Sequence, residues 1–315
     1  MNKWLNILRC PACHSGRFEE ESVKQELRCF NCNCIFPVVS GRPVLIRRDN
    51  QLFSVSDYVQ AAPVRGLQAL LSKAVPSPSV NLARASVLHS LARLLDSHTS
   101  PTILVVGSGY QRRDLTNIFG SLRRVRLLCT DVSRTADVDI FCDAHELPFD
   151  DGSFDALITT AVLEHVLYPE RVVLELHRVL KEGGLIYSEI PFIQQVHEGA
   201  YDFTRFTLSG HRRLLNHFRE IQSGMVAGPA TALVWSIEHF MVGFSRHRFV
   251  RLLLKTLARY AFFWIKYFDF FLQRRLAALD GASCTYFLGS RSTRITPDVD
   301  IIAGYKGAGA PNLPT

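Results

Sequence analysis

The chain has 315 residues, of which 47% are apolar and 21% charged, a composition that fits a globular protein with a sizeable core. Its formal net charge of +7 favours an anionic partner, either nucleic acid or a membrane surface. The first nine residues lack the long apolar run and the small-residue cleavage site of a secretory signal. We therefore expect a cytoplasmic protein.

Two CxxC pairs near the start predict a structural zinc site. Cys10 and Cys13 form the first pair, and Cys29 and Cys32 form the second, fifteen residues later. Tetrahedral zinc prefers four soft ligands, and each pair places two thiolates on one tight turn. Cys34 is close enough to replace Cys32, and disulfides or incidental cysteines are the alternative. Four protein ligands leave no open coordination position, so this metal is expected to stabilise the fold.

The stretch 101–166 is typical of a nucleoside-binding half of a doubly wound sheet. The apolar strand 103–106 runs directly into a glycine turn at 107–109, which lets a ligand approach the backbone closely. A second strand, 125–130, ends on Asp131. A carboxylate at that position can accept hydrogen bonds from ribose hydroxyls.

Further motifs follow in the same order as in a known family. They are Leu147-Pro148-Phe149, Ser153-Phe154-Asp155, Leu163-Glu164-His165-Val166 and the run 178–184. Over residues 97–228 the chain resembles the class I methyltransferases that use S-adenosylmethionine. This resemblance implies an α/β fold with a Rossmann-like, doubly wound, seven-stranded sheet.

The resemblance also implies a cofactor site. Asp131 would hold the ribose of S-adenosylmethionine, while Asp143 and Ala144 would meet the adenine. The full set of expected cofactor-binding residues is Gly107, Ser108, Gly109, Asp131, Asp143, Ala144 and His145. Two positions depart from the family pattern, because Val105 replaces a common acid and Gln111 a common glycine. These departures concern cofactor affinity more than the fold.

The segment before this core also resembles a known domain. A strand, a glycine turn and another strand follow the cysteines at 35–45. The whole segment looks like the small zinc-ribbon domain that activates several RNA and protein methyltransferases in trans, joined here to the catalytic part.

Hydrophobic spacing predicts the remaining core elements. One helix is expected at 81–95, and another begins at Pro169 and ends at Gly183 and Gly184. The later strands are expected at 185–190, 218–225 and 284–290.

An insertion at 227–282 separates the last two predicted strands. From 249 to 272 its apolar residues recur at helical spacing: Leu252, Leu253, Leu257, Tyr260, Phe263, Trp264, Tyr267, Phe268 and Phe271. A basic stripe is expected opposite them: Arg248, Arg251, Lys255, Arg259 and Lys266. Such charges argue against a transmembrane helix. The pattern fits a helix lying in a membrane interface, at the inner face of the membrane, or a lid or homodimer contact through 244–276.

The expected domain boundaries follow from these elements. The predicted units are a zinc ribbon (1–48), a connector with an N-terminal helix (49–96), a methyltransferase core (97–228), an amphipathic helical insertion (229–282), a last core strand (283–295) and a flexible tail (296–315).

Substrate-side residues are expected beyond the fourth and fifth core strands. Glu164 and His165 follow the fourth strand, and a polar loop at 197–207 follows the fifth. We predict His197 as general base and Asp202 and Arg205 as substrate anchors. The alternative is that Asp202 and Arg205 pair to brace the loop, which His197 merely caps.

These observations predict a methyltransferase that uses S-adenosylmethionine and acts on a small or lipid-linked acceptor, such as a sugar or glycolipid precursor, near a membrane. The first alternative is an rRNA or tRNA methyltransferase, with the zinc ribbon as its RNA-recognition module. The second is a non-catalytic adaptor that binds S-adenosylmethionine.

Overall fold

The computed structural model describes residues 4–21, 23–59, 75–122 and 124–309. These residues form one sheet from eleven strands: β1 (Phe18–Glu21), β2 (Glu26–Cys29), β3 (Ile35–Val39), β4 (Arg42–Leu45), β5 (Thr102–Val106), β6 (Arg126–Asp131), β7 (Ile140–Cys142), β8 (Phe154–Thr160), β9 (Leu180–Pro191), β10 (Phe218–Ala227) and β11 (Cys284–Arg291). The helices are α1 (Val55–Val59), α2 (Arg84–Leu95), α3 (Arg112–Phe119), α4 (Pro169–Val179), α5 (Leu208–Leu214), α6 (Pro229–Val242), α7 (Arg248–Phe262), α8 (Asp269–Leu272) and α9 (Asp298–Ala303).

The predicted seven-stranded core is confirmed as the strand order β7-β6-β5-β8-β9-β11-β10. Strands β7, β6, β5, β8 and β9 pair in parallel, while β11 runs antiparallel to both of its neighbours. The chain moves outward from β5 through β6 to β7, and then returns to β8 on the other side of β5. The strand order therefore reverses between β5 and β8, and ligands bind beside such a reversal in doubly wound sheets.

The first four strands extend this sheet to eleven, which the sequence did not predict. Strand β4 pairs in parallel with β7, opposing Val44 to Phe141 and Leu45 to Cys142. A second contact joins Leu8 to Phe149 in an isolated bridge. The segment predicted as a separate ribbon is thus one edge of the main sheet.

Two helix boundaries differ from the prediction. Helix α2 begins at Arg84 because the Asn81 side chain accepts a hydrogen bond from the Arg84 N–H at 2.8 Å and thereby ends the preceding loop. Helix α4 ends at Val179, before the glycine pair, because Leu180 already pairs with Phe154 in the sheet.

The single amphipathic helix predicted at 249–272 is wrong. The insertion folds as α6, α7, a 3-10 segment (Phe263–Phe268) and α8. Asp269 is fully buried, and its carboxylate accepts hydrogen bonds from the Gly228, Ala230 and Thr231 N–H groups at 2.9–3.0 Å. These bonds hold the chain at Asp269 against the start of α6, so a single helix cannot continue through 249–272. Asp269 therefore satisfies the first backbone donors of α6 from a distant part of the chain.

The predicted basic stripe is also partly wrong. Lys266 is buried and donates a hydrogen bond to the Ser77 carbonyl at 2.6 Å. Lys255 and Arg259 both pair with Glu238, which is only 2% exposed. Three of the five residues of the expected stripe thus make contacts within the protein. Within the described ranges, no helix is both long and apolar enough to cross a bilayer.

The predicted flexible tail contains a helix. In α9, Ile301 is buried, and Arg212 donates hydrogen bonds to the Ile301 and Gly304 carbonyls at 3.1 and 2.7 Å. Residues 310–315 of the predicted tail and residues 60–74 of the predicted connector lie outside the described residues.

Candidate active site

A cradle opens beside the reversal between β5 and β8. Gly107 and Gly109 have φ angles of +66° and +49°, a region that favours glycine. A side chain at Gly107 would overlap Val162, whereas a Cβ at Gly109 would meet open space. The turn is therefore closed by Val162 at Gly107 and open at Gly109, so a ligand could approach the backbone closely at Gly109.

Asp131 is fixed at the end of β6. Its carboxylate accepts hydrogen bonds from the Gly109 N–H at 2.9 Å and the Ser133 N–H at 2.7 Å. Each carboxylate oxygen can accept a further hydrogen bond. Asp131 thus caps the glycine turn, and its binding of a ribose remains a prediction.

Asp143 follows β7 and has three donors. Its Oδ1 accepts from the His145 N–H and lies 2.7 Å from His145 Nδ1, while its Oδ2 accepts from Asn50 Nδ2 at 2.8 Å. Burial works to raise the pKa of Asp143, but the hydrogen bonds from His145 and Asn50 outweigh it and lower that pKa. Asp143 is therefore a carboxylate at neutral pH, with Ala144 beside it.

Residues 47–59 lie against this side of the sheet, a placement that the sequence did not predict. The Tyr58 hydroxyl donates a hydrogen bond to the Val132 carbonyl at 2.6 Å, and its ring packs on Phe141. Arg47 pairs with Glu146 at 3.4 Å. These contacts place a segment called a connector around the expected adenosine site. Its composition carries no signal of that role.

The two departures from the family pattern have structural roles. Val105 is buried inside β5, where it packs in the core. Gln111 accepts a hydrogen bond from the Thr160 hydroxyl at 2.8 Å and so joins the glycine turn to the end of β8.

The loops after β8 and β9 bring His165 and His197 together. Their Nε2 atoms lie 3.0 Å apart, and the rings meet edge to face. His165 Nδ1 lies 2.8 Å from the Tyr201 carbonyl oxygen. The sequence named both histidines but did not predict this contact.

Asp202 and Arg205 form a bidentate ion pair. Arg205 also donates to the Gln194 and Gln195 carbonyls at 2.9 and 3.2 Å, and Asp202 accepts from the His197 N–H. Burial opposes ionisation of Asp202, but the Arg205 guanidinium holds its pKa well below the usual value. This is the bracing arrangement that the sequence left open, and the role of substrate anchor remains a prediction.

Glu164 adds a buried carboxyl beside the two histidines. Its side chain is 0% exposed, and neither oxygen has a hydrogen-bond partner among the residues that the structure describes. Burial raises the pKa of Glu164 to about 8. Such a group is costly unless a bound partner compensates for it.

Four thiols converge in the first part of the chain. Cys10 Sγ lies 3.7 Å from Cys32 Sγ, and Cys13 Sγ lies 3.5 Å from Cys29 Sγ. All four sulfurs are within 4.8 Å of one another, and Cys34 is not in this group. Four convergent thiols are the donor set of a structural zinc site.

Comparisons with known proteins match the first part of the chain and its central part to two different families. Residues 2–41 match the family model described as Trm112p-like protein, and residues 106–188 match that described as a methyltransferase domain. A UPF0434 protein of Blochmanniella pennsylvanica is 43% identical over 49 residues, which are 16% of this chain and 87% of that protein. The chain is a Trm112p-like domain joined to a methyltransferase domain.

Relatives of the methyltransferase domain match over a shorter part of their length. A ubiquinone/menaquinone biosynthesis C-methyltransferase of Neisseria gonorrhoeae is 40% identical over 67 residues, which are 21% of this chain and 27% of that enzyme. Among solved structures, the chain is similar to a Haloferax volcanii complex that contains the Trm112 methyltransferase activator. The TM-score is 0.41 and the identity 17%, over 68% of this chain and 91% of that one.

Asp131→Asn should weaken binding of S-adenosylhomocysteine about tenfold to a hundredfold, because hydrogen bonds to a charged acceptor are worth about 1.5–3 kcal/mol. Isothermal titration calorimetry measures this affinity. Asp137→Asn is the matched control, since its exposed carboxylate pairs with Arg42 and Arg112. Equal affinity of the two variants would contradict the assignment of Asp131.

Removal of zinc should destabilise the whole methyltransferase sheet, because β4 pairs directly with β7. We expect a chelator to lower the main thermal transition by at least about 5 °C, and added zinc to restore it. Differential scanning calorimetry measures the transition. If the chelator left the temperature of the main transition unchanged, the ribbon would not contribute to the stability of the methyltransferase sheet.

Proposed function

We propose that the protein is a methyltransferase that uses S-adenosylmethionine and modifies a small or lipid-linked acceptor, such as a sugar or glycolipid precursor, at a membrane surface. The cradle at Gly107 and Gly109 and the carboxylates of Asp131 and Asp143 would hold the cofactor, with Ser108, Ala144 and His145 beside them. The open side of Gly109 and the free acceptor positions of Asp131 support this fit. S-adenosylmethionine supplies a methyl group already activated by a sulfonium.

The chain itself would align the acceptor and take its proton. His197 has a solvent-accessible side chain on the loop after β9, so it is the proposed base. The Asp202–Arg205 pair holds this loop in place and thereby positions His197. Methyl transfer needs little more from a protein than such alignment and a base.

The observation that favours a membrane-associated acceptor is an exposed aromatic surface on the insertion. Its nine rings are between 46% and 89% exposed, and most of them lie on α7, α8 and the 3-10 segment between them. The aromatic surface consists of Phe240, Phe244, Phe249, Tyr260, Trp264, Tyr267, Phe268, Phe270 and Phe271. Large exposed apolar patches mark interaction sites with proteins or membranes.

The charge around the aromatic surface is strongly positive. Residues 229–276 contain eight lysines and arginines but two carboxylates, so they account for six of the seven net charges of the chain. Both carboxylates, Glu238 and Asp269, are buried. The exposed arginines are Arg246, Arg248, Arg251, Arg274 and Arg275. Aromatic rings flanked by arginines are typical of proteins that lie on anionic bilayers.

The insertion that carries the aromatic surface is hydrogen-bonded to the loop that carries His197. On α6, the Ser236 hydroxyl accepts a hydrogen bond from Gln195 Nε2 at 3.0 Å, two residues before His197. The Ile193 N–H donates to the Ala282 carbonyl at 3.1 Å. A bilayer under the insertion would therefore bring a lipid-linked acceptor close to His197.

The function is tested by following a labelled methyl group. Purified protein and labelled S-adenosylmethionine are added to separate lipid, small-molecule, RNA and protein extracts of cells that lack this gene. We expect label in the lipid or small-molecule extract, and at least about tenfold less label with Asp131→Asn when the cofactor is below saturation. Label confined to RNA or protein would overturn the proposed acceptor, and label in no extract would overturn the proposed activity.

Replacing Trp264, Phe268 and Phe271 by serine should weaken binding to anionic vesicles at least tenfold, because burial of each ring contributes about 1.5–3 kcal/mol. Co-sedimentation with phosphatidylglycerol vesicles measures this loss. A matched control replaces Val299 and Ile302, two exposed apolar residues of α9, by serine. Equal sedimentation of all three proteins would contradict the membrane proposal and leave a second copy of the chain as the partner.

A further inference from the structure

Three ligand-type side chains meet beside the candidate active site. Glu164, His165 and His197 each place one oxygen or nitrogen atom within 4.8 Å of the others. Glu164 and His165 come from the loop after β8, and His197 from the loop after β9. The two loops therefore assemble a cluster that neither of them could form alone.

The neighbours of the two histidines favour one tautomer of each ring. His165 Nδ1 faces the Tyr201 carbonyl oxygen, which can only accept a hydrogen bond. His197 Nδ1 faces the Gln195 carbonyl oxygen at 3.3 Å and the Asp202 carboxylate at 3.4 Å, which are also acceptors. These acceptors favour neutral rings with the proton on Nδ1, which leaves a lone pair on each Nε2 atom.

These two lone pairs point at each other across 3.0 Å. Such an arrangement is repulsive unless a cation lies between the nitrogens. Two nitrogens that are each about 2.1 Å from a metal ion are about 3.0–3.4 Å apart for angles between 90° and 109°. The observed separation therefore fits two ligands of one metal ion.

Glu164 supplies a carboxyl group as the third ligand. One of its oxygens lies 3.7 Å from His165 Nε2, and neither carboxyl oxygen has a hydrogen-bond partner in the described part of the chain. The side chain is fully buried, so water cannot solvate a charge on it. A bound cation would displace the carboxyl proton to water and occupy the space between the carboxylate and the two rings.

We propose that Glu164, His165 and His197 bind a divalent transition-metal ion, zinc in the first instance. Two imidazoles held through Nδ1 and one carboxylate are the donor set of catalytic metal sites. The histidine side chains are 18% and 22% exposed, which leaves the outer positions of the ion open to an oxygen of a ligand. This site is separate from the four thiols of the Trm112p-like domain.

The metal would change the chemistry proposed for His197. Its lone pair would be occupied, but a metal ion lowers the pKa of a hydroxyl bound to it. The acceptor O–H bond would then break with its proton passing to water, leaving an oxygen anion for methyl transfer. Metal binding itself does not rest on the proposed function, because it is measured without cofactor or acceptor.

The test counts metal ions bound to the full-length protein. After saturation with zinc and removal of the excess, mass spectrometry of the metal should find one more ion per chain in the wild type than in His165→Ala or His197→Ala. Glu164→Gln should lower the affinity of the protein for this additional ion at least about tenfold. His239→Ala is the matched control and should keep the wild-type count, since its Nδ1 lies 3.0 Å from the Trp235 carbonyl oxygen and His239 is not part of the ligand cluster.

A second measurement separates the two metal sites. Cys13→Ser with Cys32→Ser should remove the thiolate-to-cobalt absorption of the cobalt-loaded protein but keep the ion that depends on His197. Circular dichroism shows whether each variant is folded. Equal metal content in the wild type and a folded His197→Ala variant would overturn the proposal, since it would leave a shared proton between the two rings.

Discussion

The short parallel pairing between β4 and β7 makes this protein one unit. Two residue pairs, Val44 with Phe141 and Leu45 with Cys142, join the Trm112p-like part to the methyltransferase sheet. After β4 the chain continues across the ends of β6 and β7. There Asn50 donates a hydrogen bond to Asp143, and Tyr58 donates one to the Val132 carbonyl. The part of the chain that carries the thiol cluster is therefore continuous with the segment that lies at the expected adenosine site.

The opposite side of the site depends on a second long-range contact. Asp269 satisfies the first turn of α6 and Glu238 holds α7, and both carboxylates are buried. Its outer surface keeps aromatic rings and arginines. The bond from Gln195 to Ser236 then fixes this surface beside the loop of His197. Three parts of the chain thus converge on the carboxyl edge of β5, β8 and β9.

Features that depend on local spacing could be predicted from the sequence. The paired cysteines, the glycine turn and the acid after β6 each need only neighbouring residues, and the parallel order of strands follows from the alternation of elements. Features that depend on tertiary contacts could not. His165 and His197 are 32 residues apart and lie on two different loops, and Asn50 lies 93 residues from its partner Asp143.

The insertion shows why helical periodicity was misleading. Lys266 and Asp269 continue the spacing of a charged stripe, but in the structure both are buried with backbone partners. Spacing alone cannot distinguish a charge that faces water from one that caps a helix elsewhere. Most of the aromatic residues that were predicted on the apolar face are exposed, whereas smaller apolar residues such as Ala258 and Ala278 are buried.

A crystal structure with S-adenosylhomocysteine is the most direct test of the convergence of these parts on one site. We expect the ribose hydroxyls within hydrogen-bond distance of Asp131, the adenine beside Asp143 and Ala144, and the sulfur directed towards His197. Residues 47–59 should then contact the adenosine. A cofactor bound elsewhere, with the Gly109 side of the cradle still open, would show that these parts do not form one cofactor site.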